Sequence, residues 1–125
     1  MYLLDTNIFL EILLSQSKKE TCKKFIINNS KNCFVSDFTL YSIGIVLFRK
    51  KLFDDYKDFS NDLSEIMNII SLPYVNHTQL ANEGKKVKLD FDDMYQYHTA
   101  RHHNLSIVTM DKDFKVIKDI PVLFL

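Results

Sequence analysis

The chain has 125 residues, enough for one domain with a real core and too few for two. With 46% hydrophobic and 26% charged residues it is too apolar for disorder, and two glycines and two prolines are too few for an all-β fold with many tight turns. Its 16 Lys and Arg balance 16 Asp and Glu, so no global field pulls it toward nucleic acid, and any polyanion contact has to rest on local basic patches.

Cys22 and Cys33 have neither metal-type nor redox-type spacing and read as reduced thiols of a cytoplasmic protein. Asp5 breaks the N-terminal apolar run, so no signal peptide is expected. Ile8 to Leu14 is too short to span a bilayer and carries Glu11, so no membrane partner is expected either.

Tyr2-Leu3-Leu4 runs straight into Asp5-Thr6-Asn7, and an amphipathic run follows to Leu14. The pattern predicts a short buried strand stopping at Asp5, then a helix that Asn7 can cap. Ser17-Lys18-Lys19-Glu20 matches a capping box and opens a helix with Cys22, Phe25 and Ile26 inward, ending at Asn28-Asn29-Ser30. Cys33 to Ser36 is a second strand, with Ser36 or Asp37 as the next cap. Phe38 to Lys51 is apolar nearly all round, which predicts a buried helix, and Gly44 in its middle predicts close packing. Asp54 to Asn68 is amphipathic, with Tyr56, Phe59, Leu63, Ile66 and Met67 inward. Ile69 to Leu72 is a third strand, closed by Pro73. Thr78 is positioned to cap a helix over 79–88, and Leu89 to Asp92 leads into another over 93–103. Leu105 to Thr109 is a fourth strand, Met110 to Phe114 its exit loop, and Pro121 to Leu125 a fifth strand. Strands alternate with helices and no linker interrupts residues 1–125, so the expectation is a single α/β domain on a parallel sheet.

Ligand sites in such sheets lie beyond the carboxyl ends of the strands. Asp5 ends the first strand, Asp111 and Asp113 follow the fourth, and Asp92 and Asp93 open the helix before it. All of these positions fall on one rim, so acids far apart in sequence can meet. Taken singly, Asp92 and Asp93 also fit helix caps, and Asp111 and Asp113 fit turn formers. Taken together, crowded carboxylates need protonation or a cation, and hard oxygens suit Mg²⁺ or Mn²⁺.

Leu3-Leu4-Asp5-Thr6-Asn7, Phe91-Asp92-Asp93-Met94-Tyr95-Gln96-Tyr97 and Val108-Thr109-Met110-Asp111-Lys112-Asp113-Phe114 resemble the motifs of PIN domains. They are similar in particular to the small VapC-type toxins of bacterial and archaeal toxin–antitoxin pairs. The resemblance spans the chain in length and element order. It implies a three-layer α/β/α domain around a mostly parallel five-stranded sheet, and a metal-dependent endoribonuclease that hydrolyses RNA phosphodiesters. It places the metal-binding acids at Asp5, Asp93 and Asp111, with Asp113 as helper or substitute. Asn7, Thr109 and Ser42 would orient those ligands. It also implies a homodimer and a cognate antitoxin protein. One departure stands out: the family's second acid is a Glu, and here that position is Ser42, a neutral and weaker ligand. Asp37, at the exit of the second strand, is the candidate substitute. A PIN-like module that binds RNA or a protein partner without cutting is the alternative that Ser42 raises.

Lys112, Arg49 and Arg101 are the candidate RNA contacts, although cations at helix ends also serve the helix dipole. Tyr41, Tyr95 and Tyr97 are open either to base stacking or to core and interface packing. A receiver fold would want an Asp after the third strand, where Leu72-Pro73 stands. A dehalogenase-type phosphatase would want Asp-x-Asp after the first, where Asn7 takes the second place.

Overall fold

The computed structural model describes all 125 residues. Five strands form one parallel sheet: β1 (Tyr2–Leu4), β2 (Cys33–Ser36), β3 (Asn68–Ile70), β4 (Ser106–Thr109) and β5 (Val122–Phe124), in the order β3-β2-β1-β4-β5. All four ladders are parallel rather than mostly so, and β1 sits at the centre with Leu4 paired to Val35 on one side and Val108 on the other.

Side chains alternate across a strand, and here the alternation divides two cores. Leu4, Val35 and Val108 face the core under α1 (Thr6–Leu13), α2 (Lys19–Asn29), α3 (Asp37–Arg49) and α4 (Phe53–Ile66). Leu3 and Ile107 face the core under α5 (His77–Gly84) and α6 (Phe91–His102), where Phe114 also inserts. Helices thus cover both faces, giving the three-layer α/β/α arrangement. A sheet clad on both faces needs strands with no polar side, which is what Tyr2-Leu3-Leu4 supplies.

Several local expectations are corrected. Asp5, not Asn7, caps α1: its carboxylate accepts from the Thr6 amide at 2.7 Å, freeing Asn7 for other contacts. The Ser17–Glu20 capping box does not form. Instead the carboxylate of Glu11, buried in α1, accepts from the Lys18 amide at 2.5 Å, so α2 starts at Lys19. Glu11 is therefore structural. α5 follows directly from a 3₁₀ turn at Tyr74–Asn76, without a Thr78 cap, and stops at Gly84. α6 begins two residues early, which puts Asp92 and Asp93 inside its first turn rather than at its cap. α3 is not buried all round: Tyr41, Ile45 and Phe48 lie on an exposed stripe, and in α4 Ile66 is exposed as well. Gly44 meets its expectation, since a Cβ there would stand 3.2 Å from the Tyr56 ring of α4.

Glu11 joins α1 to the start of α2 through one charged hydrogen bond in a buried place. Glu11→Ala is expected to lower stability by about 1–2 kcal/mol. The check is urea unfolding, with the midpoint falling and the slope unchanged.

Candidate functional site

In a parallel sheet all strands end on one edge. The chain runs outward from β1 through β2 to β3 and then crosses to β4, so the topological switch lies between β1 and β4. Asp5 leaves β1 and Asp111 leaves β4 at that point. The Asp5 amide continues the ladder, donating to the Val108 carbonyl at 2.9 Å.

A small polar network fixes the two strand ends to each other. Asp5 Oδ2 accepts from the Thr109 hydroxyl and from Asn7 Nδ2, both at 2.6 Å. Thr109 Oγ1 in turn accepts from Asn7 Nδ2 at 3.1 Å and from the Asp111 amide at 2.9 Å. Asn7 Oδ1 accepts from the Met110 amide at 3.2 Å. Asp5 and Thr109 are buried, so these bonds are shielded from water. The Asp111 carboxylate accepts from the Asp113 amide at 2.9 Å and caps the 3₁₀ turn Lys112–Val116. The Asp111 carboxylate in the loop after β4 is therefore held in place.

Beneath the site lies a second network that sequence reading missed. Thr39 is wholly buried; its Oγ1 lies 3.1 Å from both the Thr6 and Ser36 hydroxyls and accepts from Gln96 Nε2 at 2.7 Å. Thr39 lies in the first turn of α3 and Gln96 in the second turn of α6, and with Thr6 at the start of α1 this network ties three helices together. A polar residue inside each apolar run was the available signal.

Asp93, Asp111 and Asp113 each bring one carboxylate oxygen to within 4.8 Å of the others. Asp5 lies outside that trio, its oxygens already engaged by Thr6, Asn7 and Thr109, but its charge acts on Asp93. Burial first, then Asp92, Asp5, Asp111 and Asp113, push the Asp93 carboxyl up from 3.8 to about 7. Burial pushes Asp5 up to about 6 against the pull of its bonds to Thr109 and Thr6. The chain's ion pairs, His98–Glu83, Arg101–Glu83 and Arg101–Asp119, all lie elsewhere, so no lysine or arginine neutralises the trio. Three hard oxygen donors with no protein counter-charge fit a divalent cation of the Mg²⁺ or Mn²⁺ type.

The remaining candidates divide. Ser42 stands in the second turn of α3 and is half-buried. Asp37 is not brought into the trio: its Oδ1 accepts from the Phe38 amide at 2.8 Å and from the Tyr95 hydroxyl at 2.7 Å. Lys112 is exposed between Asp111 and Asp113. Arg49 and Arg101 are not on this rim. They lie near the far ends of α3 and α6, about 18 Å and 12 Å along the axis from Asp37 and Asp93. Arg101 is already engaged, at 2.9 Å from Glu83 and over the Tyr97 ring. Tyr95 and Tyr97 are buried and Tyr41 is exposed on α3.

Fold and site together define a doubly wound α/β domain with an acidic cluster at its switch point. The sequence matches the PIN domain family over residues 2–120, so the chain belongs to that family. No curated protein matches it. Among solved structures, the fold is similar to VapBC2 from Rickettsia felis bound to a DNA fragment from their promoter, with TM-score 0.81 at 20% identity, covering 99% of this chain and 98% of that one. It is also similar to a toxin–antitoxin complex from Klebsiella pneumoniae, TM-score 0.78 at 23% identity over 96% and 95%. A third likeness is VapBC-1 from nontypeable Haemophilus influenzae, TM-score 0.76 at 19% identity over 98% and 96%.

The raised carboxyls make stability fall with pH. The folded chain keeps the Asp5 and Asp93 protons up to about pH 6 and 7, whereas the unfolded chain releases them near 3.8. Between those limits the folded state binds more protons, so its stability declines as pH rises. Burial lowers His98, which gives a slope of opposite sign, so the comparison with a variant isolates the acids. In metal-free buffer Asp93→Asn is expected to raise the melting temperature near neutral pH and to flatten its decline from pH 5 upward.

Proposed function

We propose that this chain is a divalent-metal-dependent endoribonuclease and the toxin of a toxin–antitoxin pair. The carrying observation is the Asp93–Asp111–Asp113 trio, gathered without a protein cation at the switch point of a PIN domain. Asp93, Asp111 and Asp113 would hold the ion, with Asp5 beside them directly or through water. A divalent ion bound there supplies Lewis acidity toward a phosphate oxygen and a more acidic water. Asp5, Asn7 and Thr109 position the loop that carries Asp111 and Asp113. Lys112, exposed between those two acids, offers the rim a cation for an RNA phosphate.

Two apolar surfaces support the partner assignments. A groove of about 470 Å³ between α1, α2 and α4 is lined by Phe9, Ile12, Ile26 and Leu63 and edged by Asp55, Asp58 and Asp62. Its chemistry suits an apolar-faced helix with basic flanks, the form we assign to the antitoxin. The exposed stripe Tyr41, Ile45 and Phe48, with Phe53 beside it, is assigned to a homodimer contact. No helix is long and apolar enough to cross a membrane. The free, buried Cys22 and Cys33 suit the cytoplasm.

Ser42 favours a second reading, a domain that binds RNA without cutting it. One set of experiments separates the two. With Mn²⁺ the full chain is expected to cleave single-stranded RNA and to stop on addition of EDTA, and Asp93→Asn to lose at least about a hundredfold in rate. Mn²⁺ at about 100 times its dissociation constant is expected to stabilise the parent by about 2.7 kcal/mol and Asp93→Asn far less. Undiminished cleavage in Asp93→Asn would overturn the site. A parent that neither cleaves nor binds Mn²⁺ in calorimetry, and stays inert as Ser42→Glu, leaves the binding module.

A further inference from the structure

Beside the acids, on the same edge of the sheet, lies an aromatic surface that the proposed chemistry does not use. Phe91 opens α6 two residues before Asp93, about 3 Å away along the axis. Its ring centroid is 6.0 Å from Phe38, which opens α3, and 6.3 Å from Tyr95. Tyr95 is 5.9 Å from His77, and His77 is 5.7 Å from Tyr74, which follows the carboxyl end of β3. The rings form one continuous run.

Its middle is anchored and its ends are bare. The Tyr95 hydroxyl donates to Asp37 at 2.7 Å and accepts from the Leu72 amide at 3.1 Å, so this buried ring is fixed. Phe91 and Tyr74 are 57% and 89% exposed, far more than a ring needs to complete a core. Rigid aromatic faces next to water bind flat, weakly hydrated partners with little loss of side-chain entropy.

We propose that this run, with Phe91 and Tyr74 as its contact faces, is a stacking platform that takes unpaired bases of single-stranded RNA beside the Asp93 cluster. The proposal rests on the ribonuclease reading for its substrate class. The charge around the rim decides where the affinity of such a platform has to come from. Asp92, Asp93, Asp111 and Asp113 crowd this edge and Lys112 is the lysine among them, so phosphate attraction contributes little and base contact has to supply affinity. A duplex keeps its bases stacked inside and cannot present them to these rings. A protein partner fits less well. The aliphatic groove between α1, α2 and α4 and the exposed stripe on α3 are separate surfaces, whereas this one is aromatic and adjoins the acids.

The test uses the full chain and fluorescein-labelled oligoadenylate in Ca²⁺ buffer, read by anisotropy. Phe91→Ala and Tyr74→Ala are each expected to weaken binding by about fivefold or more, Phe91→Trp to keep it within about twofold, and a blunt RNA duplex to bind about tenfold more weakly than the single strand. Both aromatic sites are exposed, so melting temperatures should stay near the parent's. Parental affinity in the Phe91→Ala/Tyr74→Ala double variant, or equal binding of duplex and single strand, overturns the platform. So does a double variant that sediments as a monomer where the parent is a dimer, since the surface is then an interface between copies. Cleavage with Mn²⁺ is scored separately. Cleavage that Asp93→Asn abolishes, with binding indifferent to Phe91→Ala, sinks the platform and leaves the nuclease. Binding sensitive to Phe91→Ala, with no cleavage, keeps the platform and sinks the nuclease.

Discussion

Mutual repulsion among carboxylates is the constraint on which this structure turns. Asp93, Asp111 and Asp113 point oxygens at one another within 4.8 Å, with Asp5 and Asp92 adding to the field and no basic side chain paired to any of them. Left alone, such a group would spread apart or take up protons. Burial and repulsion do push Asp93 up to about 7, and Asp5 beside the trio is held by neutral donors. Thr109 donates to Asp5 while accepting from the Asp111 amide, so the end of β1 and the exit of β4 cannot separate without breaking buried bonds. Asn7 closes the same loop from α1. The arrangement keeps carboxyl groups crowded in the free chain, at a cost to stability that a bound cation would offset.

That economy explains which parts of the molecule were legible in the amino-acid order. Period-two and period-3.6 patterns report burial, so the strands and most helices were readable from Leu3-Leu4, Val35 and Ile107-Val108 outward. The acids were readable because strand ends and helix starts share one edge in any parallel doubly wound sheet. Capping was not readable where a distant side chain did the work. Glu11 reaches the Lys18 amide across a helix break, and no local motif near Ser17 could report it. Nor can composition separate a helix apolar toward its core from one apolar toward solvent, so the exposed stripe on α3 reads as interior in the sequence.

The aspartate roles show the same limit. Motif spacing treats Asp5, Asp93, Asp111 and Asp113 alike, yet their surroundings differ. Asp5 is buried and consumed by three donors, whereas Asp113 is exposed and free to turn toward a ligand. The order of the chain locates the site, and tertiary hydrogen bonding then decides which acid braces it and which faces outward.

Ser42 sharpens the argument. If a metal binds at this rim as proposed, a hydroxyl at Ser42 would bring it no charge, and the ion would be attracted less than by a carboxylate there. Asp37 does not restore that charge, because Tyr95 and the Phe38 amide hold it to the structure. The same bond fixes the ring at the centre of the aromatic run. Asp37, the candidate substitute, is thus committed to holding the Tyr95 ring.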